Sequence, residues 1–312
     1  MEVLDNEVNL FEGIPVNYSV LENKNEIIYS KTSFATQPRQ IAVTVPADLA
    51  YYTALKNSFV MLKMKLVKAN GTSIEASPKI GVVNNIVHSL FSSIRIFMND
   101  TLVTPNEAHP AHAHFIQFFL ESNDVKKCVR TLQLYYEDTL TTVAACNQSD
   151  PQAAVSPNEG LKKRAGYFAS SASVTLVAPL RIPPHTSSKL LLPGEEPMAR
   201  IFNFAFSFVL GVKLDYLFDL NPMDFFAMSA EAANTYNYVI SDFAMVMNKV
   251  KLEPSLMLAH QSALQSKNAI YRCPYVQTHV HTIPQGSWSF QWPNAIVRKS
   301  NVKFTHSEYY GF

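Results

Sequence analysis

The chain has 312 residues, enough for one large domain or two of ordinary size with a sizeable buried core. Its 26 lysines and arginines nearly balance its 25 aspartates and glutamates, so it lacks the basic excess that is usual in proteins that bind nucleic-acid duplexes. Charged residues make up 16% of the chain and apolar residues 47%, a balance that suits a protein whose outer surface is buried in an assembly.

The cysteines and the N-terminal sequence indicate where the protein resides. Cys128, Cys146 and Cys273 are odd in number and form no CxxC, which argues against a disulfide framework or a cysteine zinc site. The start, "MEVLDNEVNLFEG", is acidic and lacks the apolar core of a signal peptide. The densest apolar run, 201–212, is too short to span a bilayer. We therefore expect an intracellular protein, cytoplasmic or nuclear, that is not secreted and has no membrane span.

The first predicted elements are strands whose apolar residues alternate with polar ones. These strands cover residues 39–45, 58–71 and 94–103, and the last two contain turns at Asn70-Gly71 and Asn99-Asp100. Between the second and third strands, apolar residues recur at the spacing of a helix face, which predicts a short helix over 83–92. The apolar residues of this helix are Val83, Ile86, Val87, Leu90 and Phe91.

A second predicted helix begins at Pro110 and carries Phe115, Phe118 and Phe119 on its apolar face. Residues 139–170 are rich in small and turn-forming residues, so they are predicted to form a long exposed loop. The remaining predicted elements are strands at 172–180, 212–220, 238–252 and 275–283, a turn at 221–224, a linker near 228–235 and a helix at 253–264.

Many short strands and few short helices predict an all-β sandwich. Glycine is scarce, at nine residues, and the chain contains neither G-x-G-x-x-G nor G-K-[ST]. Dinucleotide-binding and P-loop folds are therefore disfavoured.

Three histidines within six residues, His109, His112 and His114, raise the question of a metal site. His109 and His112 have helical spacing, but His109 precedes Pro110 and is expected to lie outside the helix. His112 and His114 are two apart and point to nearly opposite sides of a helix. No further ligand stands four residues after His112, because Ile116 occupies that position. We predict that these side chains are packing or surface residues and bind no metal.

His279 and His281 are a second candidate, because residues two apart on a strand share a face and can chelate one ion. Cupins use this pair with a glutamate three or four residues later, where this chain has Gln285 or Gly286. His306 could supply a third ligand, but no carboxylate completes the set. An outward polar face is the preferred interpretation, and a cupin-like metal-dependent enzyme is kept as an alternative.

Other candidate chemistry is equally incomplete. The basic cluster Lys162-Lys163-Arg164 is typical of a solvated loop, and the acidic pairs Glu137-Asp138 and Glu195-Glu196 are typical of a polar surface. There is no G-x-S-x-G and no cysteine in an evident electropositive turn. We predict no catalytic, cofactor-binding or metal-binding residue, no enzymatic activity, and no sequence-specific nucleic-acid partner.

Longer segments resemble a known family. The stretch "VVNNIVHSLFSSIRIFMNDTLVTPNEAHPAHAHFIQFFL" resembles the double jelly-roll major capsid proteins of Polinton (Maverick) elements and their adintovirus relatives. That family carries "V-N-N-L-L-H-S-L-F-S", then "N-G-T-L-V" and "Y-P-Y-R-A-Y-I". The matching residues here are Asn84, Asn85, His88, Ser89, Leu90, Phe91, Asn99, Thr101, Leu102, Val103 and Pro110. His109, His112 and His114 stand where the family has Tyr, Arg and Tyr, and Asp100 replaces the turn glycine.

The resemblance extends over residues 8–312 and implies a fold and a function. It implies an N-terminal arm at 1–24, a first jelly roll at 25–232 and a partial second jelly roll at 233–312. Because the 77 residues of 236–312 cannot hold eight strands, the C-terminal part is expected to be truncated, leaving 25–232 as the stable unit and a protease-sensitive site near 228–237. The implied function is a structural capsid protein that self-associates as a trimer, contacts other capsid proteins and resides in a virion. A minor capsid or penton-type jelly roll is the alternative within the same class.

Overall fold

The computed structural model describes residues 19–48, 50–104, 110–120, 131–139, 142–146, 148–187, 189, 191, 212–231 and 235–266. The strands in this part of the chain are β1 (Val20–Tyr29), β2 (Gln40–Val45), β3 (Tyr52–Thr53), β4 (Phe59–Lys68), β5 (Ile80–Val82), β6 (Phe91–Met98), β7 (Thr101–Leu102), β8 (Val174–Pro179), β9 (Leu214–Leu220), β10 (Ala227–Ser229) and β11 (Tyr236–Leu252). The helices are α1 (Ile86–Ser89), α2 (Pro110–Leu120), α3 (Val143–Cys146), α4 (Glu159–Gly166) and α5 (Pro254–Ser266).

Two antiparallel sheets lie face to face around one core. Sheet A has the strand order β1-β11-β4-β8, with β3 attached to β11, and sheet B has the order β2-β9-β6-β7. β5 and β10 form a separate two-stranded ribbon. The core contains inward side chains of both sheets, such as Leu62 and Met245 from sheet A and Ile41 and Phe218 from sheet B.

The strand pairing is that of a long hairpin rolled up into a sandwich. Leaving aside β3, β5 and β10, the first strand pairs with the last, β1 with β11, and the second with the second-last, β2 with β9. In the same way β4 pairs with β8, and β6 pairs with β7 across a tight turn. Eight strands in two sheets with this nested pairing are a jelly roll. The predicted all-β, jelly-roll class is confirmed.

The position of β11 corrects the predicted boundary between the two jelly rolls. The resemblance implies that the second jelly roll begins near residue 233, whereas β11 is hydrogen-bonded to β1 on one side and to β4 on the other. Its inward side chains Phe243, Met245 and Met247 belong to the common core. The jelly roll that the structure describes therefore runs from β1 to β11, and residues 25–232 alone lack its closing strand. A second jelly roll, with the predicted strand 275–283, lies outside the described residues and stays a prediction.

The predicted alternation of β2 and β9 explains how sheet B covers the core. Ile41 and Val43 of β2 and Leu214 and Phe218 of β9 are all buried, while their sequence neighbours point outward. The Asn99-Asp100 turn is also confirmed, because both residues have positive φ, 46° and 66°, between β6 and β7. Two consecutive left-handed residues form the turn whose twist matches a hairpin, and asparagine and aspartate tolerate that conformation well.

The two predicted helices differ from the observed ones in detail. α1 spans Ile86–Ser89 rather than 83–92, because Asn85 has a left-handed φ of 65° and Phe91 already begins β6. The apolar residues predicted for this segment are nevertheless packed in the core or against it. α2 begins at Pro110 as predicted, but Phe115 is 40% exposed, whereas His114 and Phe118 are buried. The predicted aromatic face is therefore wrong at Phe115.

The segment 139–170 is more ordered than the exposed loop that the sequence predicts. It contains α3 and α4, and the side chain of Asn158 caps α4 by accepting a hydrogen bond from the backbone N–H of Leu161 at 3.1 Å. Gly160 lies so close to the preceding segment that an added Cβ would stand 2.3 Å from the carbonyl oxygen of Glu137. Small and polar residues thus serve helix capping and close packing here.

Candidate assembly surfaces and buried polar sites

The outer face of sheet A carries apolar side chains that point away from the core. The strand register aligns them in two rows that cross all four main strands. The first row is Tyr29, Ala244, Met61 and Val177, and the second is Ile27, Val246, Phe59 and Pro179. Tyr29 and Ile27 are 57% and 49% exposed, whereas Ala244 and Val246 are buried. We call these eight residues the sheet A patch, and it is the first candidate assembly surface.

Polar residues border the sheet A patch at both ends. On one side Asn248 donates hydrogen bonds to the side-chain oxygens of Asn23 and Asn25 at 2.8 and 2.9 Å. On the other side Lys63 of β4 pairs in register with Asp242 of β11. An apolar centre with a polar rim is the usual composition of a protein–protein interface.

The outer face of sheet B is more polar, because Gln40, Ser93, Arg95 and Asp219 lie on it. Asp219 accepts hydrogen bonds from Gln40 at 2.6 Å, from Arg95 at 3.0 Å and from Ser93, which joins β2, β9 and β6. Burial acts to raise the pKa of Asp219, but the hydrogen bonds of Ser93 and Gln40 and the charge of Arg95 outweigh it and lower that pKa. The carboxylate oxygens of Asp219 are thus already occupied by neighbouring side chains. Hydrogen bonds join the strands on this face, and it is not an open reactive site.

A buried guanidinium ties the helical segment to the sandwich. Arg164 is fully buried and donates hydrogen bonds to the carbonyl oxygens of Val82 and Tyr136, both at 2.7 Å. It also donates to Asn84 Oδ1 at 2.9 Å and to Asp138 Oδ1 at 2.7 Å. This arrangement corrects the prediction of a solvated basic loop, since only Lys162 and Lys163 of that cluster are exposed. Asp138, from one of the predicted acidic surface pairs, is the partner of the buried cation.

Two histidines that are far apart in sequence lie together in the interior. The rings of His88 in α1 and His114 in α2 are stacked, with centroids 3.3 Å apart and an angle of 12° between planes. Asn85 donates its side-chain N–H to His114 Nδ1 at 2.6 Å. Burial lowers the pKa of His88 to about 3 and lowers that of His114 well below its ordinary value, and the cation of Arg181 acts in the same direction on both. Both rings are therefore neutral at physiological pH.

The predicted metal candidates are not brought together in the part of the chain that the structure describes. His112 is exposed and lies edge-on to Phe225, whereas His114 is buried against His88. No three His, Cys, Asp or Glu side chains are grouped among the described residues as a metal site would require. The candidates His109, His279, His281 and His306, the acidic pair Glu195-Glu196, and Cys128 and Cys273 lie outside the described residues. Absence of a metal site thus stays a prediction.

The fold and its surfaces together define an eight-stranded jelly roll with an apolar outer sheet face and a polar one. The chain is similar to a chain in the 3.5 Å cryo-EM structure of the Sputnik virophage, with a TM-score of 0.50 and 14% identity over 80% of this chain and 51% of that one. It is more weakly similar to the crystal structure of the mavirus major capsid protein, with a TM-score of 0.37 and 14% identity over 79% and 49%. The chain spans about half the length of the chains that it matches.

No protein-family model and no curated protein matches the sequence. At this identity the likeness to the Sputnik chain establishes the jelly-roll fold. Among the described residues, no helix has the length and apolar character needed to cross a bilayer.

Proposed function

We propose that the protein is a structural capsid protein, a major capsid protein of a Polinton-like virus or mobile element. The observation that carries this proposal is the nested pairing of the strands from β1 through β11. The resulting fold is similar to that of a chain from a virophage particle. The resemblance of the segment 82–120 to Polinton and adintovirus major capsid proteins supports the same class. The role is geometric and not enzymatic: jelly rolls standing side by side form the wall of a shell.

The sheet A patch is where we expect such neighbours to pack. A sheet face with apolar rows loses favourable burial when it is left in water, and each such side chain contributes about 1.5–3 kcal/mol when fully buried. Contact with a second sandwich would cover these rows, as occurs when two sheets pack face to face. The proposed partners are further copies of the protein, arranged as a trimer, together with other capsid proteins. The proposed location is the virion, or the cytoplasm or nucleus of a host cell when the gene is not part of an active element.

Oligomeric mass tests the proposal directly. Purified protein analysed by size-exclusion chromatography with light scattering should show three copies of the 35.0 kDa chain, and electron microscopy should show larger hexagonally packed arrays. The double variant Ile27→Lys/Tyr29→Lys places two cations on exposed positions of the patch and should give monomers with an unchanged circular dichroism spectrum. Val155→Lys, at a site 79% exposed and far from β1 in sequence, is the matched control and should remain trimeric.

Other masses would contradict the proposal in distinct ways. A pentamer would indicate a penton-type jelly roll, and a monomer at the highest soluble concentration would exclude self-assembly of this chain. About one zinc, iron or manganese per chain that is lost in His281→Ala would instead support the cupin-like enzyme. A Polinton-like origin would be supported by genes for a protein-primed polymerase, a packaging ATPase and a maturation protease beside this gene.

A further inference from the structure

The stacked pair His88 and His114 joins two helices at the side of the sandwich, where α1 contacts both β6 of sheet B and β8 of sheet A. α1 and α2 pack against each other, and α2 also packs against β6 of sheet B. The two rings are enclosed, with His88 1% and His114 2% exposed. Both ring nitrogens of His88 and Nε2 of His114 have no hydrogen-bond partner among the described residues. Within the described part of the chain, the pair is therefore held by packing and by the hydrogen bond from Asn85.

We propose that the His88–His114 stack is an acid-sensitive latch that holds α2 against the jelly roll and releases it when the two rings take up protons. Protonation changes three things at once. His114 Nδ1 would carry a hydrogen, so it could no longer accept the N–H of Asn85. The two stacked rings would become like charges in contact. Each would also be a buried cation, which is costly without a counter-ion.

The surrounding charges further destabilise the closed state once the rings are protonated. Arg181, which follows β8, acts electrostatically on both rings and is itself a cation. The backbone carbonyl of Pro179 in β8 favours the charged form of His88, and this is a minor opposing effect on its pKa. β6 carries Arg95, whose guanidinium binds Asp219 on the outer face of sheet B. The turn Thr131–Gln133, which packs against β8, has no titratable side chain.

The latch is a property of this chain rather than of the resembling family. His88 matches the histidine of the family pattern "V-N-N-L-L-H-S-L-F-S", but His114 stands where that pattern has tyrosine. The second titrating ring is thus a substitution, and His114→Tyr restores an aromatic ring that does not take up a proton in mild acid. Use of the latch in loosening a shell rests on the proposed function, whereas opening of α2 in the isolated chain does not.

Linkage gives the size of the effect. If each ring has an ordinary pKa of about 6.5 in the open state, acidification favours opening by about 4-fold per ring at pH 6 and about 30-fold per ring at pH 5. For the two rings together the product is roughly 17-fold at pH 6 and about 1,000-fold at pH 5. The contribution of the two neutral rings to the stability of the closed state is complete above pH 6.5 and is lost as the pH falls below it.

Hydrogen exchange of the α2 amides, corrected for intrinsic rates, measures this opening in the full chain. In wild-type protein the exchange rate of the α2 amides should rise on acidification by the factors given above. In His114→Tyr the rate should rise about 30-fold at pH 5, and in His88→Phe/His114→Tyr it should not rise. His112→Tyr, an exposed ring on the same helix, is the matched control and should behave as wild type. Acid opening of equal size in the double variant, or none in wild type, would overturn the latch.

A second measurement on wild-type protein keeps the test independent of the folding of the variants. NMR titration of the ring protons should show two histidines that stay neutral through pH 6 while α2 is protected. A pair that titrates near pH 6.5 with α2 still protected would overturn the proposal. Because both readouts are made on the chain itself, their failure is distinct from failure to form trimers.

Discussion

Replacement of Phe91 by Ala should strongly destabilise the jelly roll, because this ring contacts both sheets. Phe91 is 1% exposed, and its ring centroid lies 5.0 Å from that of Phe218 in sheet B and 6.2 Å from that of Phe243 in sheet A. Phenylalanine-to-alanine changes in well-packed cores cost about 3–5 kcal/mol, and the aromatic contacts on both sides place this site at the upper end. That is a large part of the roughly 5–15 kcal/mol by which domains are stable.

Urea unfolding followed by circular dichroism measures the loss. The urea concentration at the unfolding midpoint should fall, while the slope of the unfolding free energy against urea concentration stays unchanged. An unchanged slope indicates that the native sheets still form. Phe225→Ala is the matched control, because Phe225 is 43% exposed, and it should cost less than about 1 kcal/mol. A loss below about 1 kcal/mol for Phe91→Ala would refute the inference that this ring fills the space between the sheets.

Three further predictions concern the buried polar groups and the closing strand. Arg164→Met should cost about 3–5 kcal/mol in urea unfolding, because Asp138 Oδ1 and the carbonyl oxygens of Val82 and Tyr136 lose the guanidinium that donates to them. Asn84 Oδ1 also loses this donor but keeps the backbone N–H of Tyr136. The exposed neighbour change Lys163→Met should stay within about 0.5 kcal/mol, and equal losses would contradict the buried network. Burial lowers the pKa of His185 to about 4, so this group contributes stability that is complete above pH 6.5 and is lost on acidification, by about 2 kcal/mol at pH 5. His185→Gln should therefore reduce the fall in unfolding free energy between pH 7.5 and pH 5 by that amount. An unchanged fall would show that His185 titrates normally in the folded protein. The amides of β11 should exchange as slowly as those of β4, and rapid exchange of β11 alone would restore the predicted boundary near residue 233.

The strands that could be predicted are those with one buried face. In β2 and β9 one side of the strand meets the core and the other meets water, so apolar and polar residues alternate and the period is visible in the sequence. The turn at Asn99-Asp100 was equally visible, because its residue types tolerate positive φ. Local chemistry is sufficient for such elements.

The assignment of β11 could not be made in the same way. From Phe243 to Val250 every residue is buried, on both faces of sheet A, so no alternation marks which side meets the core. Its partners are β1 and β4, near the other end of the chain. Sequence patterns identify a strand here but not the neighbours of that strand. For the same reason the sheet A patch becomes visible only when the register aligns residues from four distant strands.

The buried polar residues were mispredicted because their partners are also distant. Arg164 stands beside two exposed lysines, and nothing within the cluster indicates that its guanidinium would meet Asn84 and Asp138. His114 lies on a helix with three phenylalanines, and the apolar scale favours Phe115 for the buried position. The capping side chain of Asn158 was the local signal that could have identified α4.

The nested pairing of the strands sets the order in which the protein can fold during synthesis. Tyr29 and Ala244 are partners in sheet A, yet they are separated by about two-thirds of the chain, so this contact carries a large loop-closure entropy. β1 and β4 leave the ribosome long before β11, the strand that lies between them. Until then both strands present an unpaired edge, and the apolar side chains of β4 are uncovered. We therefore expect folding to be completed only after β11 has emerged, and the nascent chain to depend on chaperones up to that point.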